Sequence, residues 1–189
     1  MYSPCPSPRR RSFAPAALAA LVLGTAIAPF SAADPGPLRI RVQGAAGMAV
    51  QRAWQGARLR LAQPACRQVL SDFSVSSYRR TLAEVPDLLG RSLEEHMDDL
   101  TFTDGARKGR CASSLVLAFT RPGDNLIQVC PSQFQAATRN DPGYAEIILI
   151  HELLHTLGLG EDPPTSLEIT ARVSERCRHV ARQVAEGPR

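Results

Sequence analysis

Apolar and polar residues alternate over residues 38–43, and this two-residue period predicts a strand with one buried face. Apolar residues at helical spacing follow over residues 48–61 and predict the first helix. A weaker strand is predicted over residues 69–75. Residues 81–100 carry helical segments that are interrupted near Pro86.

The clearest hairpin lies in the middle of the chain. Residues 115–120 and 126–129 are rich in Val, Leu, Ile and Phe, and Arg121-Pro122-Gly123-Asp124 between them is typical of a turn. A short strand over residues 100–103 precedes the hairpin and ends at Asp104-Gly105, another turn signal. These segments predict a small sheet.

The most apolar segment predicts a long buried helix. Asp141 is a good N-cap residue, and Pro142 suits the first helical position, where no backbone N–H is needed. A run of Ile and Leu continues to Leu157, and Gly158 can end the helix because glycine adopts the left-handed conformation readily. Since apolar residues lie on most of its sides, we expect this helix at the centre of the domain.

A last helix is predicted from Thr165, because Thr165 and Glu168 have the spacing of a capping box. One apolar stripe follows, at Ile169, Val173, Cys177, Val180 and Val184. No internal repeat is visible, and no linker divides the chain after residue 33. The pattern therefore predicts a single α+β domain over residues 34–189.

The first 33 residues have the pattern of a signal peptide. A basic group at residues 9–11 precedes an apolar stretch at 16–27, which is too short to span a bilayer. We therefore expect residues 1–33 to be removed. The mature protein is then expected to be periplasmic or extracellular, without a stable membrane span. The arginines fit both the general secretory and the twin-arginine route.

Composition narrows the class of partner. The chain has 189 residues, and its 44% hydrophobic content is enough for a folded core, so intrinsic disorder is not expected. The formal charge of +4 falls mostly on the arginines at 9–11, within the predicted signal peptide. The rest of the chain is nearly balanced in charge, and a nucleic-acid partner is therefore not expected. The sequence does not indicate an oligomeric state.

Four cysteines follow residue 33, at Cys66, Cys111, Cys130 and Cys177. An even number in an exported domain predicts two disulfides, for which three pairings are possible. Cys111 and Cys130 flank the predicted hairpin, which favours pairing them and leaves Cys66 for Cys177. No Cys-x-x-Cys spacing occurs, which argues against a cysteine zinc site.

The predicted central helix carries the sequence His151-Glu152-Leu153-Leu154-His155. Residues i and i+4 lie about 40° apart around a helix and about 6 Å apart along it, so both imidazoles can reach one ion. This H-E-x-x-H pattern is typical of a zinc site. Glu152 lies about 100° round the helix from His151, which places it beside the metal rather than among its ligands.

The segment from His151 to Glu161 resembles the extended zinc signature of metzincins, a branch of the zincin metallopeptidases. In that branch a glycine, here Gly158, ends the helix, and the residue three positions further on supplies the third ligand, here Glu161. The chain is also similar to small exported bacterial proteins known only as uncharacterised metallopeptidases. The resemblance implies a zincin-like α+β fold, with a small mixed or antiparallel sheet packed on the active-site helix and a C-terminal helix.

Metzincins also carry a methionine turn beneath the metal, whereas this chain has no methionine after Met97. In the gluzincin branch the third ligand is a glutamate on a later helix, for which Glu175 and Glu168 are candidates. Both have simpler explanations, because Glu168 completes the capping box and Glu175 can pair with His179. Glu161 is therefore preferred, and Glu175 and Glu168 are the alternatives.

The resemblance implies a zinc metallopeptidase that acts on peptides or proteins. His151, His155 and Glu161 would hold Zn²⁺, and Glu152 would be the general base that takes a proton from a zinc-activated water. Two alternatives stay open: a non-catalytic zinc-binding or interaction domain on the same scaffold, and a hydrolase of a non-peptide amide in the cell wall. The group that stabilises the oxyanion is not identified.

Three further predictions concern the surroundings of this site. An edge strand would pair with extended substrate, and either residues 115–119 or residues 126–129 could have this role. Tyr144 shares the helix face of His151 and is expected to pack or to cap, with substrate binding as the alternative. His96 lies among four acidic residues and is expected on a solvated charged face rather than in a second metal site.

Overall fold

The computed structural model describes residues 39–75 and 79–179, so the predicted signal peptide, Val180 and Val184 lie outside the described residues. The strands are β1 (Arg39–Arg41), β2 (Ser74–Val75), β3 (Arg80–Thr81), β4 (Thr101–Asp104), β5 (Ala118–Thr120) and β6 (Leu126–Val129). The helices are α1 (Gly44–Leu61), α2 (Pro64–Arg67), α3 (Val69–Asp72), α4 (Val85–Leu88), α5 (Leu93–Asp98), α6 (Pro131–Asn140), α7 (Pro142–Thr156) and α8 (Ser166–Cys177). Short 3-10 turns occupy Leu82–Glu84 and Gly109–Ala112.

Four strands form one mixed sheet in the order β1-β4-β6-β5. β1, β4 and β6 are parallel, with Phe102 of β4 between Ile40 and Ile127, whereas β5 is antiparallel to β6. Phe102 and Ile127 are fully buried on the face that the helices cover. β2 and β3 form a separate antiparallel pair. The predicted α+β class with a small sheet is confirmed.

α1 and α7 pack against each other and against this sheet. The indole of Trp54 on α1 is almost completely buried, and its centroid is 5.3 Å from that of the Phe102 ring. Burying a side chain such as Phe102 contributes about 1.5–3 kcal/mol to folding. Arg60 of α1 donates to Glu146 Oε2 of α7 at 2.5 Å, which ties the two helices together by a charged pair.

Both ends of α7 are where the sequence predicts them. The Asp141 carboxylate accepts the Tyr144 N–H at 3.0 Å, as an N-cap residue does. At the other end Gly158 has a φ of 101°, in the left-handed region, and its N–H donates to the His155 carbonyl. The Gly123 N–H of the hairpin turn donates to the same carbonyl at 2.8 Å, so the hairpin holds the end of this helix.

α8 begins with the predicted capping box. Glu168 Oε2 accepts the Thr165 N–H at 2.8 Å, and Thr165 Oγ1 accepts the Glu168 N–H at 3.3 Å. Ile169, Val173 and Cys177 are fully buried, because their shared face packs against α7 and α2. This packing brings α8 alongside the histidine-bearing helix.

Two disulfides join the cysteine pairs that the sequence favours. Cys66 is bonded to Cys177 across a sequence separation of 111 residues, and Cys111 is bonded to Cys130 beside the hairpin. Closing a loop of about 100 residues stabilises a fold by about 5 kcal/mol in the chain-entropy account. The two disulfides fit an oxidising, extracellular environment. Among the described helices, none is both long and apolar enough to cross a bilayer.

Three helices differ from the sequence prediction. Residues 69–72 form α3 rather than a strand, because Val69 and Leu70 turn inwards together with Cys66 of the preceding helical turn. α6 is absent from the predicted elements, since Phe134 is its one buried residue and therefore gives no apolar period. α1 begins at Gly44, earlier than predicted, because the Gly and Ala residues of its first turn carry little hydrophobic signal.

The prediction that His96 lies on a solvated face is wrong. Leu93, His96 and Met97 occupy the inner side of α5 at spacings of three and four residues, and all three are buried. The acidic residues of α5 point the other way. His96 Nε2 lies 2.8 Å from Thr156 Oγ1 at the end of α7, so this histidine joins α5 to α7.

Candidate metal centre

His151 and His155 lie one turn apart on α7, as their spacing requires. Their Nε2 atoms are 2.9 Å apart, and the two rings meet edge to face with centroids 4.7 Å apart. Both side chains are almost completely buried. The two imidazoles therefore offer nitrogen lone pairs to one common point.

The second nitrogen of each ring has its own partner. His155 Nδ1 donates to the Leu159 carbonyl at 2.7 Å, which leaves the Nε2 of the neutral ring with a free lone pair. His151 Nδ1 lies 2.8 Å from Thr170 Oγ1 on α8. Burial lowers the pKa of His155 and so favours the neutral ring that a metal needs. Such partners orient the histidines of metal sites.

Glu161 reaches the histidines because the chain reverses after α7. Gly158 adopts its positive φ, and the buried Leu159 then anchors the returning segment. Glu161 Oε1 lies 3.2 Å from His155 Nε2 and 3.6 Å from His151 Nε2. The His151 imidazole is the largest cause that lowers the pKa of Glu161 to about 2, while burial acts in the opposite direction. Glu161 is therefore a carboxylate at neutral pH.

The two alternative glutamates lie elsewhere. Glu168 Oε2 is occupied by the Thr165 backbone and hydroxyl in the capping box. Glu175 Oε2 accepts from Arg172 at 3.0 Å rather than from His179, the partner that the sequence suggests. The structure thus brings Glu161, and neither alternative, to the histidine pair. One ligand atom from each of His151, His155 and Glu161 lies within 4.8 Å of the other two, so this group can hold a metal ion.

Glu152 is a buried carboxyl beside that group. Its side chain is 4% exposed, and its Oε2 atom has no hydrogen-bond partner among the described residues. Burial raises the pKa of Glu152 to about 7, although the His151 ring and Thr120 act in the opposite direction. A buried carboxyl oxygen without a hydrogen-bond partner costs free energy, so its presence here indicates a role beyond packing.

A cleft of about 370 Å³ opens over these four residues. α7 forms its floor, residues 115–120 form one wall, and the start of α8 forms the other. β5 is an edge strand of the sheet, whereas β6 lies between β4 and β5. Of the two candidate strands for substrate, only the one that contains β5 therefore has a free edge. That strand begins at Ala118, later than predicted.

The free edge of β5 offers backbone groups for pairing. The Cys130 N–H donates to the Leu117 carbonyl at 2.9 Å, which makes Leu117 and Cys130 a hydrogen-bonded pair of the antiparallel ladder. Such pairs alternate along a ladder, so the N–H and C=O of Ala118 point away from β6. They face the cleft side, where an extended chain can pair with them.

Several cleft residues were not predicted from the sequence. Thr170 and the Leu159 carbonyl orient the histidines, and Thr120 and Arg110 line the cleft. Contacts between separate elements bring these groups together, and no local motif signals them. Tyr144 is half-buried against the core and also lines the cleft, while its N–H takes part in the helix cap.

No family model, curated protein or solved structure matches this chain.

Proposed function

We propose that this protein is an exported, zinc-dependent peptidase with a zincin-like fold. The observation that carries the proposal is the buried Glu152 carboxyl, whose Oε2 has no hydrogen-bond partner among the described residues, beside the convergent group of His151, His155 and Glu161. Two imidazole nitrogens and one carboxylate oxygen, with room for a further ligand, are the donor set of many catalytic zinc sites. The open cleft above them gives a substrate access.

Each residue has a distinct role in this proposal. His151, His155 and Glu161 hold the ion, and Thr170 and the Leu159 carbonyl keep the two rings in place. Zinc bound there would acidify water and polarise a carbonyl group. Glu152 accepts the proton of the attacking water and passes it to the leaving amine. Burial raises the pKa of Glu152, which makes its carboxylate a better proton acceptor than that of an exposed glutamate.

The substrate is an extended peptide segment that pairs with the free edge of β5. Ala118 supplies one N–H and one C=O to that pairing, and α7 lies underneath with its reactive groups. In backbone pairing of this kind the main-chain hydrogen bonds give affinity, and contacts to alternate side chains give specificity. A peptide bond held in the cleft would therefore lie next to Glu152 and the metal ligands.

Two further observations support the proposal over a non-catalytic zinc domain. Structural zinc sites are closed by four protein ligands, whereas three side chains converge here among the described residues. A structural site also has no use for a buried carboxyl next to the metal. The two disulfides support export into an oxidising compartment.

The test is to incubate the zinc-loaded protein with denatured protein and, separately, with peptidoglycan, and to identify the products by mass spectrometry. New peptide termini that disappear with a chelator and in the Glu152→Gln variant are expected. Cleavage of peptidoglycan alone would show that the substrate is a cell-wall amide. No product from either substrate, with zinc bound in full, would favour the non-catalytic domain.

A further inference from the structure

Arg110 brings a positive charge to the cleft that also contains Glu152 and Glu161. It lies in the 3-10 turn Gly109–Ala112, and its guanidinium carbon is 5.7 Å from the centroid of the Phe119 ring. The positive charge is near enough to act on Glu152. Among the ion pairs of the described residues, none includes Arg110, so its hydrogen-bond donors are available to a ligand.

The turn that carries Arg110 is held at several points. Cys111 is bonded to Cys130 at the end of β6. Gln133 Nε2 donates to the Cys111 carbonyl at 2.7 Å, and the Cys111 N–H donates to the Lys108 carbonyl at 3.0 Å. The backbone around Arg110 is therefore in place before a ligand arrives, which reduces the entropy cost of binding.

Phe119 shows which side of β5 Arg110 occupies. Ala118 and Thr120 are buried towards the helices, so the side chain between them points to the opposite face of the sheet. The Phe119 ring packs there against Gly105, where an added β carbon would lie 3.2 Å from the ring. Arg110 lies over the ring on this same outer face.

A peptide paired antiparallel with the free edge of β5 would place one residue directly opposite Phe119. Because Leu117 forms a hydrogen-bonded pair with β6, the Phe119 polar groups also face β6, and its pairing with the peptide is of the non-hydrogen-bonded kind. In such pairs the Cα atoms are about 4.5 Å apart and the side chains share one face. The side chain of that peptide residue would therefore lie next to the Arg110 guanidinium.

We propose that Arg110 is a specificity-determining residue that binds the carboxylate of an Asp or Glu side chain at this one position of the substrate. The inference rests on the proposed peptidase function. A guanidinium matches a carboxylate with two parallel hydrogen bonds, and stacking on Phe119 leaves those donors free. The position opposite Phe119 is the one that this pairing places next to the guanidinium, so the preference is expected there.

The test uses the zinc-loaded Glu152→Gln protein, which is expected to bind a peptide without cleaving it. The probes are alanine-based nonapeptides with one Leu and blocked ends, in which a single Glu or Gln is moved along the chain. Calorimetry at low ionic strength gives each Kd. We expect Glu to bind about fivefold more tightly than Gln at one position, and the ratio to fall towards one in high salt.

Substitutions at Arg110 test whether this residue causes the preference for Glu over Gln. Adding Arg110→Gln to the same protein is expected to reduce the Glu-to-Gln ratio to about one, whereas Arg110→Lys keeps part of it. Arg121→Gln is the matched control, since Arg121 is an exposed arginine of the hairpin turn that does not line the cleft. It is expected to leave the ratio unchanged.

The outcomes separate this inference from the proposed function. Peptide binding without preference for Glu at any position, or a preference that survives Arg110→Gln, overturns the role of Arg110 and leaves the peptidase proposal intact. Failure of every peptide to bind the zinc-loaded protein contradicts the peptide substrate itself, and both proposals then fail.

Discussion

Three histidines lie on or against α7: His151 and His155 inside the cleft, and His96 outside it. The two environments differ in what surrounds each ring nitrogen. In the cleft, the Nε2 atoms of His151 and His155 face a common point, and the Nδ1 atoms are taken by Thr170 and Leu159. Outside the cleft, the Nε2 atom of His96 forms a hydrogen bond with the Thr156 hydroxyl.

The Thr156 contact identifies the state of His96. The Thr156 hydroxyl donates to the Leu153 carbonyl at 2.8 Å, so it accepts the Nε2–H of His96. His96 Nδ1 is buried and has no partner among residues 39–75 and 79–179. Burial is the main cause that lowers the pKa of His96 to about 4, so this ring is neutral at pH 7. A buried histidine is therefore a candidate ligand only when further donors converge on its free nitrogen.

In the cleft, Glu152→Gln removes the proposed base and keeps the shape of the side chain, and we expect it to change activity more than any other variant. We expect kcat/KM on any substrate found to fall by about 10²–10⁴-fold, with zinc content unchanged. Steady-state kinetics and elemental analysis provide the two readouts. Glu175→Gln, a change at an exposed glutamate of α8, is the control and should keep activity. An active Glu152→Gln protein would show that Glu152 beside the cleft histidines is not the general base.

The next effect concerns the third ligand of the cleft group. Glu161→Ala is expected to weaken zinc binding by more than about 100-fold, because a direct ligand should matter more than the groups that orient ligands. Glu168→Ala and Glu175→Ala should change it little, since both carboxylates are engaged elsewhere. Zinc remaining after dialysis against a mild chelator gives the ranking. Loss of zinc in Glu175→Ala but not in Glu161→Ala would make Glu175 the ligand.

Two threonines allow a matched test of the two histidine environments. Thr170→Val removes the partner of His151 Nδ1, and we expect zinc affinity to fall by about 10–100-fold. Thr156→Val removes the partner of His96 instead and should leave zinc affinity unchanged. Competition with a zinc-sensitive dye measures both. Equal losses in the two variants would mean that the distinction between the two environments is wrong.

The cleft group was predictable because its determinants are close together in the sequence. Residues His151 and His155 need only helical spacing, and Gly158 both ends the helix and allows Glu161 to return. Asp141 likewise fixes the start of α7 from within its first turn. Local geometry, which a sequence pattern encodes, is enough to bring these residues together.

The surroundings of the cleft histidines and of His96 depend on packing between elements that are distant in the sequence. His96 has charged neighbours in the sequence, yet the short α5 turns it inwards against α7, which no local period reveals. Thr170 reaches the cleft because α8 packs against α7. Arg110 reaches it because the Cys111–Cys130 disulfide holds the turn that carries it. The edge position of β5 depends on the strand order of the whole sheet. These features needed the tertiary structure.

The pH dependence of stability that His96 contributes should be weaker than any of the effects above. Its pKa is about 4 in the fold against an ordinary value of 6.5, so the unfolded chain binds a proton at higher pH than the folded chain. The free energy of unfolding should therefore fall as pH decreases from 6.5 towards 4, and stay level above that range.

His96→Gln keeps a donor for Thr156 and removes the titrating ring. Urea unfolding of the metal-free proteins at pH 7, 6 and 5 should show a smaller decline for the variant than for the unaltered protein, since all other titrating groups are shared. Identical declines would contradict the assignment of His96 as a buried neutral ring.

The zinc K-edge X-ray absorption spectrum of the metal-loaded protein shows which atoms bind the ion. We expect two imidazole nitrogens at about 2.0–2.1 Å, with the remaining ligands oxygen, and no sulfur. The Glu161→Ala protein, when enough zinc is supplied to load it, should keep the signal of two imidazoles, because water can replace the lost carboxylate oxygen. A first shell dominated by sulfur near 2.3 Å, or one with fewer than two imidazoles, would contradict His151, His155 and Glu161 as the metal-binding group.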